Sequence, residues 1–253
     1  MYAEERRQMI CQSLETDGRV TVAELAHRYD VVTETIRRDL DALEASGLLT
    51  RVHGGAIAKR ASDPEPDLAT RLGTNTAAKK RIALAASSFL PKGQLKSVLL
   101  DAGSTTLELV PYLDGKDVQI VTNALGIAQA ALTISVDRLD LLPGRVRGRT
   151  HAAVGVETVR ALSRLHPDVA FIGCNGMSEA GFTTPDVDEA AAKTAMVTQA
   201  SRRIVLADSS KAGLNQLVCF AELSEIDVLV SDTGLSDSYV RLFEDNGIEV
   251  VRA

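Results

Sequence analysis

The sequence has little that marks a catalyst, a secreted domain or a membrane protein. Cysteine is scarce: Cys11, Cys174 and Cys219 are scattered and odd in number. That excludes a disulfide framework and leaves no metal-ligand spacing. No apolar run approaches the ~20 residues of a membrane span. The start, Glu4-Glu5-Arg6-Arg7, lacks an apolar h-region. No signal peptide is therefore expected, and the chain is expected to be cytoplasmic. There is no G-x-G-x-x-G, Walker A, nucleophile elbow or paired-carboxylate motif, so no cofactor, metal or catalytic residue is expected. A basic excess is missing too. The net charge is −6; residues 1–60 hold nine Lys/Arg against ten Asp/Glu, and the rest nineteen against twenty-four. The whole-chain field would not steer a polyanion, so any affinity for DNA must come from local basic groups.

What is present begins with Thr35-Ile36-Arg37-Arg38-Asp39-Leu40-Asp41-Ala42-Leu43. Ile36, Leu40 and Leu43 recur at i, i+4 and i+7, one apolar stripe of a helix. Arg38 falls on the opposite side, near Glu34 and Asp41, with Thr35 and Arg37 on the flanks. A helix docked by one stripe and presenting Arg and Thr outward suits the DNA major groove. An ordinary solvated helix with i, i+4 pairs, Arg37 with Asp41 and Glu34 with Arg38, would look the same.

The surroundings decide. A first helix is expected over Glu4 to Thr16, with Met9, Ile10 and Leu14 inward, stopped by Asp17-Gly18. Thr21 with Glu24 makes a capping box for a short second helix, Val22 to Tyr29, with Leu25 and Ala26 inward. The Arg-Arg helix follows and ends at Gly47, a helix-turn-helix pattern. Leu48 to His53, a Gly54-Gly55 turn and Ala56 to Ala58 then predict a β-hairpin wing. Arg51, His53, Lys59 and Arg60 sit on or beside it, suited to phosphates. His53 reads equally well as a loop histidine bonding a neighbouring backbone group. The candidate DNA contacts are Thr33, Thr35, Arg37, Arg38, Arg51 and His53.

Ser62-Asp63-Pro64-Glu65-Pro66-Asp67 predicts an extended, exposed joint. The expected division is 1–58, a linker over 59–76, and a second domain over 77–253. There a helix, Lys79 to Phe89, buries Ile82, Ala83 and Ala86. Short apolar strands then alternate with helices: Val98–Leu100, Val118–Val121, Leu139–Leu142, Val169–Ile172, Ile204–Ala207, Val228–Val230 and Ile248–Val251. This predicts a doubly wound α/β domain with a largely parallel sheet, which binds ligands beyond the carboxyl ends of its strands.

At those ends stand Asp101, Gly103, Ser104, Thr105 and Thr106, then Thr122 and Asn123, then Asn175 and Gly176, then Asp208 and Lys211. Lys193 lies on the helix between the last two. Lysines and backbone N–H groups suit a phosphate, and Asp101, Asn123 and Asn175 suit hydroxyls. Each also has a plainer reading: Ser, Thr and Asp after strands are common helix caps, and a helical Lys is usually solvated. Of the alternating Arg145, Arg147 and Arg149, two read as polar loop. Arg145 is kept as a candidate phosphate clamp.

Gly18-Arg19-Val20-Thr21-Val22-Ala23-Glu24-Leu25-Ala26, Thr35-Ile36-Arg37-Arg38-Asp39-Leu40 and Arg51-Val52-His53-Gly54-Gly55-Ala56 resemble the winged helix-turn-helix of DeoR/GlpR-type bacterial transcription regulators. Asp101 to Thr106, Thr122-Asn123 and Asp208 to Lys211 follow in the family's order. The resemblance implies a ribose-phosphate-isomerase-like effector domain, operator DNA as partner, a phosphorylated sugar as inducer, and a dimer or tetramer. Leu142 to Arg149 and Asp232-Thr233-Gly234-Leu235 look most like members linked to fructose use, so fructose 1-phosphate is the first expectation, ahead of glycerol 3-phosphate or another sugar phosphate. Where the family usually has Val-Ser before the Arg-Arg helix, this chain has Val31-Val32. Valine cannot cap, and Thr33 is expected to cap one residue later. An isomerase-like enzyme fused to a DNA-binding module is the alternative. It would need a base beside the sugar, and no carboxylate follows Gly173-Cys174-Asn175-Gly176 before Glu179.

Overall fold

The computed structural model describes residues 2–45, 49–58, 65–93, 96–136 and 138–253. The chain divides into two units, Met1–Asp63 and Pro64–Ala253. Gly47, expected to stop the third helix, and Lys59 to Pro64, the wing-flanking cations and most of the acid-proline joint, lie outside the described residues.

The first unit holds α1 (Ala3–Asp17), α2 (Val22–Tyr29) and α3 (Thr33–Ala45), with strands β1 (Arg19–Thr21), β2 (Leu49–Val52) and β3 (Gly55–Ala58). Gly18, at φ 71, closes α1 in the left-handed conformation glycine favours. The Thr21 hydroxyl accepts the Glu24 N–H at 3.2 Å, starting α2. The Glu24 carboxylate takes the Thr21 hydroxyl at 2.8 Å. Ile10, Leu14, Leu25, Ile36, Leu40, Leu43 and Leu49 form one buried core. Met9, expected inward, is exposed. The wing has three strands rather than two: β1 pairs with β3, which pairs with β2. A Cβ on Gly55 would lie 2.1 Å from the Val20 carbonyl oxygen, so this crossing needs glycine.

In the second unit the expected linker does not run to residue 76. From Glu65 the chain is bonded into this unit, and α4 (Leu68–Gly73) precedes α5 (Thr76–Ala86). Among the described residues seven parallel strands follow: β4 (Lys96–Leu100), β5 (Val118–Thr122), β6 (Arg138–Leu141), β7 (Val169–Gly173), β8 (Arg203–Leu206), β9 (Val228–Ser231) and β10 (Glu249–Arg252). Their order across the sheet is β10-β9-β8-β7-β4-β5-β6. All seven strands expected from the sequence are in it.

The residues alternate between faces, and both faces are covered. Leu99, Ala170, Ile172, Val205 and Leu229 join one core with α8 (Val156–Leu162), α9 (Val187–Gln199) and α10 (Asp237–Asp245). Val98, Leu100, Phe171, Ile204, Leu206, Val228 and Val230 join the other, with α5, α6 (Ser104–Leu107) and α7 (Leu125–Ala131) nearby. A small antiparallel sheet, Gly176–Ser178, Gly181–Thr184 and Val218–Ala221, sits beyond β7. A two-stranded ribbon, Arg145–Val146 with Ala153–Val154, follows β6.

Candidate functional site

In the first unit α3 is fixed from beneath by a residue the sequence reading left aside. Asp39 is buried and accepts from Arg6 Nε at 2.5 Å and Arg7 Nε at 3.1 Å. Breaking a buried pair of this kind costs ~3–5 kcal/mol. The outer face is lightly held. Arg37 meets Glu34 at 3.4 Å and Arg38 meets Glu34 at 3.8 Å, all three exposed. Such pairs contribute only ~0.3–0.5 kcal/mol, so either guanidinium can turn to a phosphate or guanine at little cost.

Three expectations change. Asp41 pairs with Arg51 at 3.1 Å, not with Arg37. Arg51 also donates to the Gly55 carbonyl at 2.8 Å, tying the wing to α3 and leaving less of the guanidinium for DNA. Thr33 does not cap, because the Val32 carbonyl already takes the Thr35 N–H at 3.0 Å and Thr33 is the first helical residue. Thr33 is exposed, Thr35 half-buried, and His53 exposed at the tip of the wing.

In the second unit the strand ends converge on a buried pair. Lys193 Nζ donates to Asp101 Oδ2, and at 2.9 Å to the Gly173 carbonyl. The Gly173 N–H donates to the same carboxylate at 3.0 Å. Burial pushes the Asp101 carboxyl up, with Lys193 pulling against it. Burial also raises the Cys174 thiol to about 12, while Lys211, Lys193, Asp208 and Asp101 all act on it. Lys193 bonds both Asp101 and the Gly173 carbonyl next to Cys174, and Asp101, Cys174 and Asp208 follow the adjacent strands β4, β7 and β8.

Many of the expected site groups are engaged within the protein. The Thr106 hydroxyl donates to the Asp101 and Gly103 carbonyls, and Thr122 donates to the Leu100 carbonyl at 2.7 Å. Asn123 accepts from the Ala102 N–H at 3.0 Å and donates to the Ala153 carbonyl at 3.1 Å. Asp208 accepts from Ser210 and from Asn75 Nδ2, the latter at 3.0 Å. Gly176 is required by packing: a Cβ would lie 2.1 Å from the Leu214 carbonyl oxygen. A Cβ on Gly103 would press on the Thr106 hydroxyl at 2.9 Å. The helix expected after Asp101 has only four residues, Ser104–Leu107, so its dipole offers little to a phosphate.

The groups left with donors in hand are fewer. Among the described residues, the Ser104 and Thr105 hydroxyls, Asn175 Nδ2 and the Lys211 ammonium make no hydrogen bond or ion pair. Lys211 is half-buried. These groups suit an anionic, hydroxylated ligand.

The arginine loop also differs from expectation. Arg145 is exposed and pairs with Asp188 on the first turn of α9. Arg147, read as polar loop, is the buried one, with its side chain 14% exposed. It reaches Glu189 at 2.6 Å, Glu65 at 3.1 Å and Asp186 at 3.2 Å. Burial works to raise the Glu189 carboxyl, but Lys193, Thr150 and Arg147 outweigh it and hold it low. Asn75 and Arg147 had no distinguishing signal in the sequence. Glu179, the first carboxylate after β7, is exposed, Asp101 is bonded by Lys193, and Asp208 is engaged by Ser210 and Asn75.

A winged helix-turn-helix unit, followed by a parallel α/β unit with a polar cluster at its strand ends, is the construction of a ligand-responsive DNA-binding regulator. Residues 6–61 match the DeoR-like helix-turn-helix domain, and residues 74–233 match the DeoR C terminal sensor domain. The chain is similar to the uncharacterized HTH-type transcriptional regulator FruR of Bacillus subtilis, at 38% identity over 92% of each chain. It is similar to the HTH-type transcriptional repressor GlcR of the same organism, at 32% identity over 99% of this chain and 96% of that one. It is also similar to the HTH-type transcriptional regulator GlpR of Haloferax volcanii, at 36% identity over 98% and 97%. Among solved structures it is similar to ribose 5-phosphate isomerase A of Methanocaldococcus jannaschii, at 18% identity over 55% of each chain with a TM-score of 0.40. The chain belongs to the DeoR family of transcriptional regulators. It is a regulator and not an enzyme, and among the described residues no helix is long and apolar enough to cross a membrane.

Proposed function

We propose that this regulator represses a sugar-use operon and leaves its operator when a phosphorylated sugar binds the second unit. Fructose 1-phosphate is the first candidate, ahead of glycerol 3-phosphate and other sugar phosphates. The observation that carries the reading is the unengaged donor set, Ser104, Thr105, Asn175 and Lys211, gathered beside the buried Asp101–Lys193 pair. An ammonium and hydroxyls serve the phosphate, and the amide serves a sugar hydroxyl.

On the DNA side, Arg37 and Arg38 reach the major groove, with Thr33, Thr35 and His53 beside them. Two copies, in a dimer or tetramer, present two such helices to operator half-sites about one helical turn apart or a multiple of it. The ligand favours an arrangement of copies that spaces these helices wrongly, a population shift. A tenfold loss of operator affinity needs only ~1.4 kcal/mol of such coupling.

The test is a thermal-shift series on the full chain with fructose 1-phosphate, glycerol 3-phosphate and unphosphorylated fructose, followed by operator gel shifts. A ligand that binds only the folded state raises the melting temperature. The expected result is a rise with a phosphorylated sugar alone, and release of DNA by the same compound. No rise with any sugar phosphate overturns the reading.

A further inference from the structure

Residues 65–79 run across the carboxyl ends of the sheet as a strap. At one end the Leu68 N–H donates to the Arg149 carbonyl at 2.9 Å, in the loop beyond β6. Arg149 reaches back to the Glu65 carbonyl. At the other end Asn75 Nδ2 donates to Asp208 at 3.0 Å, in the loop beyond β8. The ends of β5, β4 and β7 lie between these anchors. In mid-span α4 packs on α6, which carries Ser104 and Thr105. Buried Lys79 secures α4 by donating to the Arg71 and Thr74 carbonyls, and it feels the charges of Asp208 and Lys211. The strap is therefore beside the donor set already described.

Arg71, in the middle of α4, and Glu65 beside it carry three of the buried polar atoms left without a partner among the described residues. The Arg71 side chain is 16% exposed, and its Nε and Nη2 are buried with no hydrogen-bond partner. Those two nitrogens form one edge of the guanidinium, with parallel N–H bonds matched to two oxygens of a phosphate. Nη1, on the other side, lies 3.9 Å from Glu65 Oε1. Glu65 spends its Oε2 on Arg147 at 3.1 Å, and its Oε1, buried and itself without a hydrogen-bond partner, stops short of Arg71. Buried donors left unmade are costly, so such an edge persists where a ligand completes it.

We propose that the strap is a second wall of the effector pocket and that the Nε–Nη2 edge of Arg71 grips the effector's phosphate. This rests on the reading that the pocket takes a phosphorylated sugar. It also gives the ligand a direct hold on the segment that follows the joint between the two units.

Calorimetry on the full chain tests it, using fructose 1-phosphate, glycerol 3-phosphate and inorganic phosphate as probes. Arg71→Gln is expected to weaken sugar-phosphate binding by about tenfold or more. Arg71→Lys recovers only part, since an ammonium lacks the paired edge. Arg160→Gln, an exposed arginine on α8, stays at the wild-type value. Arg71→Gln also breaks the 3.9 Å pair with buried Glu65, so its ligand-free melting temperature falls, while Arg71→Lys, which keeps a cation there, falls less. Wild-type affinity in Arg71→Gln overturns the proposal while the pocket reading stands. If Arg71→Gln fails to fold, Arg71→Lys decides: reduced affinity supports the grip and unchanged affinity overturns it. A wild-type chain that binds no sugar phosphate removes the pocket reading, and this proposal with it.

Discussion

Arg38 in the first unit has a side chain 79% exposed and leans on Glu34 at 3.8 Å. Lys193 in the second is 5% exposed and bonds an Asp101 that is 2% exposed. Both are cations beside a carboxylate, yet they do opposite work. The exposed pair is screened by water and salt, holds nothing in place, and leaves the cation to a large polyanion. The buried pair has lost its water. Each charge is now needed by the other, and the pair ties the end of β4 to α9 and to the end of β7 instead of meeting a surface. The unit that meets DNA keeps its cations loose above a rigid support, Asp39 with Arg6 and Arg7. The unit that meets a small ligand fixes most of its cations and leaves a few donors unengaged.

The hardest way to break this contrast is Lys193→Met. It strands the Asp101 carboxylate and should cost ~3–5 kcal/mol, read as a large fall in melting temperature at pH 7. Burial already raises this carboxyl, and without Lys193 it rises further and takes up a proton in the folded state. The folded form then binds more protons than the unfolded form above the ordinary value of about 3.9, so the deficit grows from pH 4 towards neutrality. Adding Asp101→Asn should restore much of the loss, because no unpaired charge remains. A single variant that melts like the wild type at pH 7 would remove the buried pair as a structural element.

Arg38→Ala probes the exposed side. Stability should move by less than ~0.5 kcal/mol, as for most surface changes. Operator affinity should fall by ~1–3 kcal/mol at fixed salt, with sugar-phosphate binding intact. Retained operator affinity would take Arg38 out of the interface and cancel the contrast.

The contrast was only partly legible in the sequence. The seven parallel strands were, because a sheet covered on both faces turns Val98-Leu99-Leu100 or Val169-Ala170-Phe171-Ile172 into unbroken apolar runs. The Ile36, Leu40, Leu43 stripe was legible because helical period and burial agree. The small antiparallel sheet was not. Gly176–Ser178 and Gly181–Thr184 are short, and glycine and hydroxyl residues read as turn. Helix α4 was hidden as a turn and a half beside an acid-proline stretch. Composition could not rank Arg145, Arg147 and Arg149. Only the meeting of their loop with Glu65 and the start of α9 makes Arg147 the buried one. Position singles out candidate groups at the strand ends, but it does not say which hydroxyls the backbone has already taken.

Lys211→Ala tests that last distinction. Lys211 has no carboxylate partner among the described residues, so its loss should leave the fold nearly unchanged. Sugar-phosphate affinity should fall by about tenfold, near 1.4 kcal/mol, with operator affinity in the absence of ligand unaffected. Calorimetry that returns the wild-type constant would show that Lys211 is merely a solvated lysine close to the pocket.

The smallest effect concerns the support under the exposed arginines. Helix α3 starts at Thr33 on the Val32 carbonyl, and the exposed Val32 side chain offers no acceptor. Val32→Ser gives the helix start an oxygen for the Thr35 or Glu34 N–H and removes no core atoms. The gain should be ~0.5–1 kcal/mol in a urea titration of the full chain. The same hydroxyl would stand at the end of the helix that meets DNA, so operator affinity separates two effects. A gain in stability with unchanged affinity makes the serine a cap alone. A gain in both would show that valine costs this protein a phosphate contact as well. No change in either would mean that α1 and the wing, through Asp39 and Arg51, already hold α3 firmly enough for its start to need no cap.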